Sequence, residues 1–164
     1  MLVNKQRYQS IWIDNLNKVK IIDQTLLPFE FKVIELESLE STAEAIINMR
    51  VRGAPLIGVT AAFGMYLSIK KSNEVADIVK ARDYLVSTRP TAINLKWAVD
   101  RVVEKIIKTR KEKREAESLA IAKKMHLDDQ GINEMIGNAG ADVIKKIYEK
   151  KNKTINILTH CNAG

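Results

Sequence analysis

Short apolar runs separated by polar punctuation open the chain. Ile11-Trp12-Ile13, Val19 to Ile22 and Phe31 to Ile34 are β-prone segments, divided by Asp14-Asn15 and by the region of Pro28. They predict a small antiparallel sheet or meander. From Ser41 the apolar period becomes helical, and Ser41 with Glu44 has the Ser-x-x-Glu spacing of a capping box, which predicts a helix over 41–49. Arg52-Gly53-Ala54-Pro55 then breaks the pattern. Glycine allows a tight turn, and proline suits the first position of the next helix, whose leading N–H groups are left free. The helix from Pro55 is apolar nearly all round. Gly58, Ala61, Ala62 and Gly64 let neighbouring backbones approach it closely, so it is expected at the centre of its domain.

A further helix is predicted over 74–86. Ser87-Thr88-Arg89-Pro90 makes a second break, with Pro90 placed to start another helix along which Ala92, Leu95, Val99, Val102 and Ile106 recur at helical spacing. A charged helix over 112–125 and another over 133–148, joined around Asp128 to Gly131, complete the predicted bundle. Thr154 to Thr159 reads as a buried-type strand running into the small residues before Gly164, as a parallel α/β unit begins. One parallel strand cannot make a sheet. The predicted organisation is therefore an N-terminal sheet plus helical domain over 1–150, then the first strand and turn of an incomplete Rossmann-like domain over 151–164. The fold class is α+β and mostly helical, with no internal repeat.

Composition narrows the function classes. The 164 residues are 46% hydrophobic and carry 27 Lys and Arg against 20 Asp and Glu, a net charge of +7, which admits nucleic acid, an anionic membrane or an anionic substrate. The location of the charge decides. Lys105, Lys108, Arg110, Lys111, Lys113 and Arg114 are interleaved with Glu104, Glu112, Glu115 and Glu117, the pattern of a solvated helix face. No aromatic stands among them to stack on bases, so no nucleic-acid partner is expected; the most apolar stretch, Leu56 to Ile69, is too short to cross a bilayer, so no membrane is expected either. A single cysteine suits a reducing compartment, and Met1 to Ser10 lacks the apolar core of a signal peptide; a cytoplasmic protein is expected. Trp12, Trp97, Phe63 and Tyr66 are expected in the core, as are Met49, Met65, Met125 and Met135.

Three features carry candidate chemistry. Arg52 beside Gly53 and Ala54 puts a guanidinium fork next to the free N–H groups and positive dipole end of a helix, the physical recipe for binding phosphate. Arg89-Pro90-Thr91 repeats it. Each turn alone is more simply a helix entry with a solvated arginine; two in one domain point to convergence on one anion. Cys161 lies past the predicted strand, where a helix start would favour thiolate, although a lone cysteine is equally well a small buried hydrophobe. His126 with Asp128 and Asp129 reads as a helix cap and turn, and no metal site is expected there.

These residues fall within longer motifs. Met49-x-Val51-Arg52-Gly53-Ala54-Pro55-x-Ile57-Gly58, Arg89 to Leu95 with Trp97-Ala98, and the closing Ile157 to Gly164 together resemble the methylthioribose-1-phosphate isomerases. Weaker matches are Ile22 to Pro28 and Asn133-x-x-Ile136-Gly137-x-x-Gly140. The resemblance runs in order along almost the whole chain. It implies aldose–ketose isomerisation of 5-methylthioribose 1-phosphate to 5-methylthioribulose 1-phosphate in methionine salvage, without metal or nucleotide cofactor. By motif position Arg52, Gly53, Ala54 and Arg89 would hold the phosphorylated pentose and Cys161 would be catalytic. It also implies a homodimer for a full-length protein, with most of the interface and a second catalytic group, an aspartate, beyond Gly164. This chain is accordingly expected to be an N-terminal part, inactive alone. The runners-up are a regulatory subunit of the translation initiation factor 2B type, which generally lacks the cysteine, and ribose-1,5-bisphosphate isomerase, which shares it. A stable helical fragment with no activity of its own is the remaining possibility.

Overall fold

The computed structural model describes residues 2–3 and 5–158. A two-strand hairpin, β1 (Leu2–Val3) and β2 (Gln6–Arg7), precedes a three-stranded antiparallel sheet of β3 (Ile11–Ile13), β4 (Val19–Ile22) and β5 (Val33–Leu36) in the order β3-β4-β5. The register pairs Ile11 with Ile21, and Ile21 with Ile34. Ile11, Val19, Ile21 and Leu36 are buried on the face that meets the helices, as period-two alternation requires of a half-covered sheet. The sheet anticipated from the sequence is present, with its last strand two residues later than expected.

Among the described residues five helices follow, α1 (Leu39–Ile47), α2 (Ala54–Lys71), α3 (Val75–Thr88), α4 (Ile93–Ile106) and α5 (Arg114–Lys151), with one 3-10 turn at Lys111–Lys113. α1 starts earlier than predicted because Ser38, not Ser41, is its cap. The Ser38 hydroxyl accepts the Ser41 N–H at 3.2 Å, and the Ser41 hydroxyl accepts the Ser38 N–H at 3.0 Å. That closes the reciprocal box with a serine where glutamate is usual. Glu44 instead accepts from Asn48 and Arg50. α1 ends before Met49, which takes φ 56° and is 45% exposed rather than packed.

α2 is the central helix. Every residue from Ile57 to Tyr66 is buried, and Ile69 with them. A Cβ on Gly58 would lie 2.9 Å from the Asn94 carbonyl oxygen of α4, and one on Gly64 would lie 2.6 Å from Thr42 Cγ2 of α1. These glycines mark the places where neighbouring elements touch the helix. Gly58 lies early in α2 and Asn94 early in α4. Past the far ends, Asn73 Nδ2 donates to Lys111 O and Arg114 Nη1 donates to Asn73 O. α2 and α4 therefore run parallel, with α3 returning between them, and both helix N-termini face the same end of the bundle.

Pro90 does not begin α4. The Ala92 N–H donates to Arg89 O at 2.9 Å, closing a turn in which Pro90 sits, and the helix starts at Ile93. Trp97 is 53% exposed with the Arg101 guanidinium over its ring at 5.4 Å, a correction to its expected place in the core.

The largest departures are at the C-terminal end. The two predicted helices are one, because nothing between Asp128 and Gly131 stops the ladder. Lys124 pairs with Asp128 and Gln130 bonds His126, both at helical i,i+4 spacing, and a lone glycine costs a helix only about 1 kcal/mol. α5 runs antiparallel to α2 and buries Ser118, Ala122 and Met125. From Ile132 to Lys151 all its residues are exposed, including Met135 at 66%, so this half does not join the bundle. Thr154 to Leu158 carries no strand. A strand exists only through hydrogen bonds to a neighbour, and among the described residues none lies beside this segment. The predicted first strand of a Rossmann-like domain is therefore not present there.

The packing gives a paired prediction for the 164-residue chain. Gly58→Ala should lose about 1–3 kcal/mol, since the Asn94 carbonyl is backbone and cannot step aside cheaply. Gly131→Ala, where a Cβ meets nothing within 4 Å, should gain about 0.5–1 kcal/mol. Urea melts of the two variants check both signs.

Candidate active site at two helix entries

Arg52 follows the turn that leaves α1, Gly53 caps α2 with φ 105°, and Ala54 is the first residue of that helix. A positive φ of this size suits glycine and strains other residues. The first intrahelical bond is Ile57 N–H to Gly53 O at 2.9 Å. Gly53 offers no side-chain cap and Pro55 has no N–H, so the N–H groups of Ala54 and Leu56 lack an acceptor within the helix. Arg52 is half-buried, and its Nε is enclosed with no hydrogen-bond partner. A buried guanidinium nitrogen without an acceptor is uncommon, and an anion is the natural group to complete it.

Arg89 closes α3 and is also half-buried, in the turn that leads into α4. Because α2 and α4 are parallel and touch at Gly58 and Asn94, both arginine turns lie at the same end of the molecule. Cys161 lies outside the described residues.

A groove of about 440 Å³ and mixed polarity opens at the start of α2, lined by Gly53, Ala54 and Pro55, by Ile11 and Val59, and by Gln9, His126 and Asn133. An apolar recess of about 260 Å³ adjoins it between α2, α4 and α5, with Gly58, Trp97, Met125 and Ile132 in its walls. A larger concavity among the described residues, about 950 Å³ beneath the N-terminal hairpin, contains none of the candidate residues. His126 stands within α5 rather than at a cap or turn. Its Nε2 is 2.9 Å from Gln9 Oε1 and 3.2 Å from Gln130 Nε2. Among the described residues no three of His, Cys, Asp and Glu are grouped as metal ligands.

The turn before α2 is held by residues whose contacts reach across the chain. Gln24, only 4% exposed, accepts the Arg52 N–H at 2.7 Å. Asp23, 2% exposed, accepts Arg50 Nη1 at 2.7 Å. Burial pushes the Asp23 carboxyl up, but hydrogen bonds from Thr25 and Arg50 more than offset it and hold it below the ordinary carboxylate value. The sequence offers one hint of this anchor: a polar Asp-Gln pair directly after an apolar strand, in the stretch Ile22 to Pro28.

Comparison with known proteins decides the family. The Initiation factor 2 subunit family model matches residues 50–164. The chain belongs to this family. It is 46% identical to the methylthioribose-1-phosphate isomerase of Paramagnetospirillum magneticum and 44% identical to that of Escherichia coli, in each case over 100% of this chain and 46% and 45% of the relative. It thus spans about half the length of the curated relatives it matches. Among solved structures, subunit delta of the translation initiation factor eIF-2B from A. fulgidus superposes with a TM-score of 0.70 at 34% identity, covering 75% of this chain and 38% of that one. The 5-methylthioribose 1-phosphate isomerase of Pyrococcus horikoshii superposes with a TM-score of 0.65 at 37% identity, covering 71% and 35%.

The His126 environment gives a prediction at the groove wall. Burial disfavours its imidazolium, and Asp129 opposes that only in part, so its pKa lies below the ordinary 6.5. Stability linked to this residue is then complete above pH 6.5 and falls as the pH drops through the lower folded-state value. An NMR titration of the imidazole signals, assigned with His160→Gln, should place the His126 midpoint below 6.5. A midpoint above it would show that the ring is not desolvated as described.

Proposed function

We propose that the protein carrying this chain converts 5-methylthioribose 1-phosphate to 5-methylthioribulose 1-phosphate. The observation that carries the reading is similarity along 100% of this chain, at 46% and 44% identity, to proteins of that activity. The geometry supplies a chemical reason. An enclosed Arg52 Nε without a partner stands one residue before an uncapped helix N-terminus, and the second arginine turn lies at the same end.

In this reading Arg52, Arg89 and the N–H groups at Gly53 and Ala54 fix the phosphate dianion and thereby the sugar. Fork donors and helix dipole match its charge, and orientation rather than bond polarisation is their contribution. Because the anomeric oxygen carries phosphate, the ring cannot open at a free hydroxyl, and the transfer between C1 and C2 needs an assisted, shielded site. Cys161 exchanges a proton with the substrate as base or acid. In this reading the second catalytic group and most of the dimer interface belong to the portion that the relatives have and this chain does not cover. Regulatory binding of the initiation-factor type is the second reading, favoured by the superposition on subunit delta.

The test uses protein expressed from the complete reading frame. It should turn over the methylthiopentose phosphate. Arg52→Ala and Arg89→Ala should each lower kcat/KM by about a hundredfold, and Cys161→Ser by at least about as much. Absence of turnover in the parent, or full activity in both arginine variants, would refute the assignment. The 164-residue chain by itself should show no turnover.

A further inference from the structure

The backbone donors of the turn between α1 and α2 are held in two ways. Arg50 N–H and Val51 N–H both donate to Ala45 O, at 2.9 and 3.3 Å, continuing the end of α1. Arg52 N–H instead donates at 2.7 Å to a side chain, Gln24 Oε1, from a residue 28 positions earlier. Gln24 returns a second bond, its own N–H to Arg50 O at 2.9 Å. One buried glutamine thus grips the turn at both Arg50 and Arg52.

The corner that carries Gln24 is itself fixed. Asp23 Oδ1 accepts the Thr25 N–H at 3.1 Å and the Thr25 hydroxyl at 2.6 Å, while Oδ2 accepts Arg50 Nη1 at 2.7 Å. The Asp23 N–H donates to Lys32 O at 2.9 Å, tying the corner to the lead-in of β5. The backbone at residue 52 sets two directions at once. One is the Cα–Cβ vector that carries the guanidinium with the unpartnered Nε. The other is the entry into Gly53, whose φ of 105° aims the first N–H groups of α2.

We propose that Gln24 is a positioning residue of the anion site: by accepting the Arg52 N–H it fixes how the guanidinium and the α2 N-terminus together meet a phosphate. Gln24 acts through Arg52 and need not touch the anion. A site of several donors loses affinity steeply when one is turned away, because the remaining geometry no longer fits. This inference rests on the reading of Arg52 as a phosphate ligand.

The experiment uses protein from the complete reading frame and two readouts: the dissociation constant of inorganic phosphate by calorimetry, which needs no turnover, and KM with kcat for the sugar phosphate. Gln24→Met keeps the volume and removes the acceptor. It should raise the phosphate dissociation constant and KM about tenfold and leave kcat within about twofold, with an unchanged far-ultraviolet circular dichroism spectrum. Arg52→Ala should weaken both by more, and adding Gln24→Met to it should cost clearly less than the tenfold seen in the wild-type background, because only the α2 N-terminus is then left to misplace. Three outcomes overturn the proposal: wild-type phosphate affinity in Gln24→Met while Arg52→Ala is weakened, an effect confined to kcat, or the same weakening with and without the Arg52 guanidinium. If Arg52→Ala leaves phosphate affinity unchanged, the phosphate site itself is refuted and the role of Gln24 with it. Should Gln24→Met not fold, Gln24→Asn, which withdraws the amide by one methylene, carries the same expectations.

Discussion

The close contact of α2 with α4 at Gly58 is the constraint from which the rest of the arrangement follows. With the Asn94 carbonyl 2.9 Å from where a side chain would begin, the two helices meet backbone to backbone near their starts. Parallel packing then leaves both N-termini, both dipole ends of the same sign, at one end of the bundle. Two positive helix ends side by side repel weakly in isolation and attract an anion jointly. Arg52 and Arg89 are placed ahead of those ends by the turns that the parallel geometry requires.

The central helix was legible from composition alone, because a segment apolar on every side has nowhere to go but inside. The arginine turns were legible for a related reason: glycine before proline, and arginine before proline, announce chain breaks with free donors. What failed was local detail decided by competition. Ser38, not Ser41, is the cap, and Ser41 serves as its N3 partner, a serine–serine box that the Ser-x-x-Glu pattern does not describe. The stretch from Asp128 to Gly131 looked like a loop by residue type, yet its polar side chains bond within the helix and continue it. Thr154 to Leu158 has the composition of a strand, but pairing is not a property of one segment. Trp97 and Met135 show the limit of counting apolar residues, as their helices present them outward. The grip of Gln24 on Arg52 spans 28 residues, and the polar Asp23-Gln24 pair after an apolar strand hints at an anchor without naming its partner.

The C-terminal half of α5 sets the scale of what this chain does by itself. At 1.5 Å per residue the helix is about 57 Å long, and its buried positions end at Met125. Ile132, Ile136, Val143, Ile144 and Ile147 are exposed along it. The family relatives are about twice as long as this chain.

The central claim is that two turns separated along the chain act on one anion, and an amide-detected NMR titration of the 164-residue chain with inorganic phosphate tests it most directly. The account predicts that the N–H signals of Gly53 and Ala54 and the side-chain signals of Arg52 and Arg89 shift together, along curves that fit one dissociation constant. Shifts at only one turn, or two curves with unrelated midpoints, would contradict it.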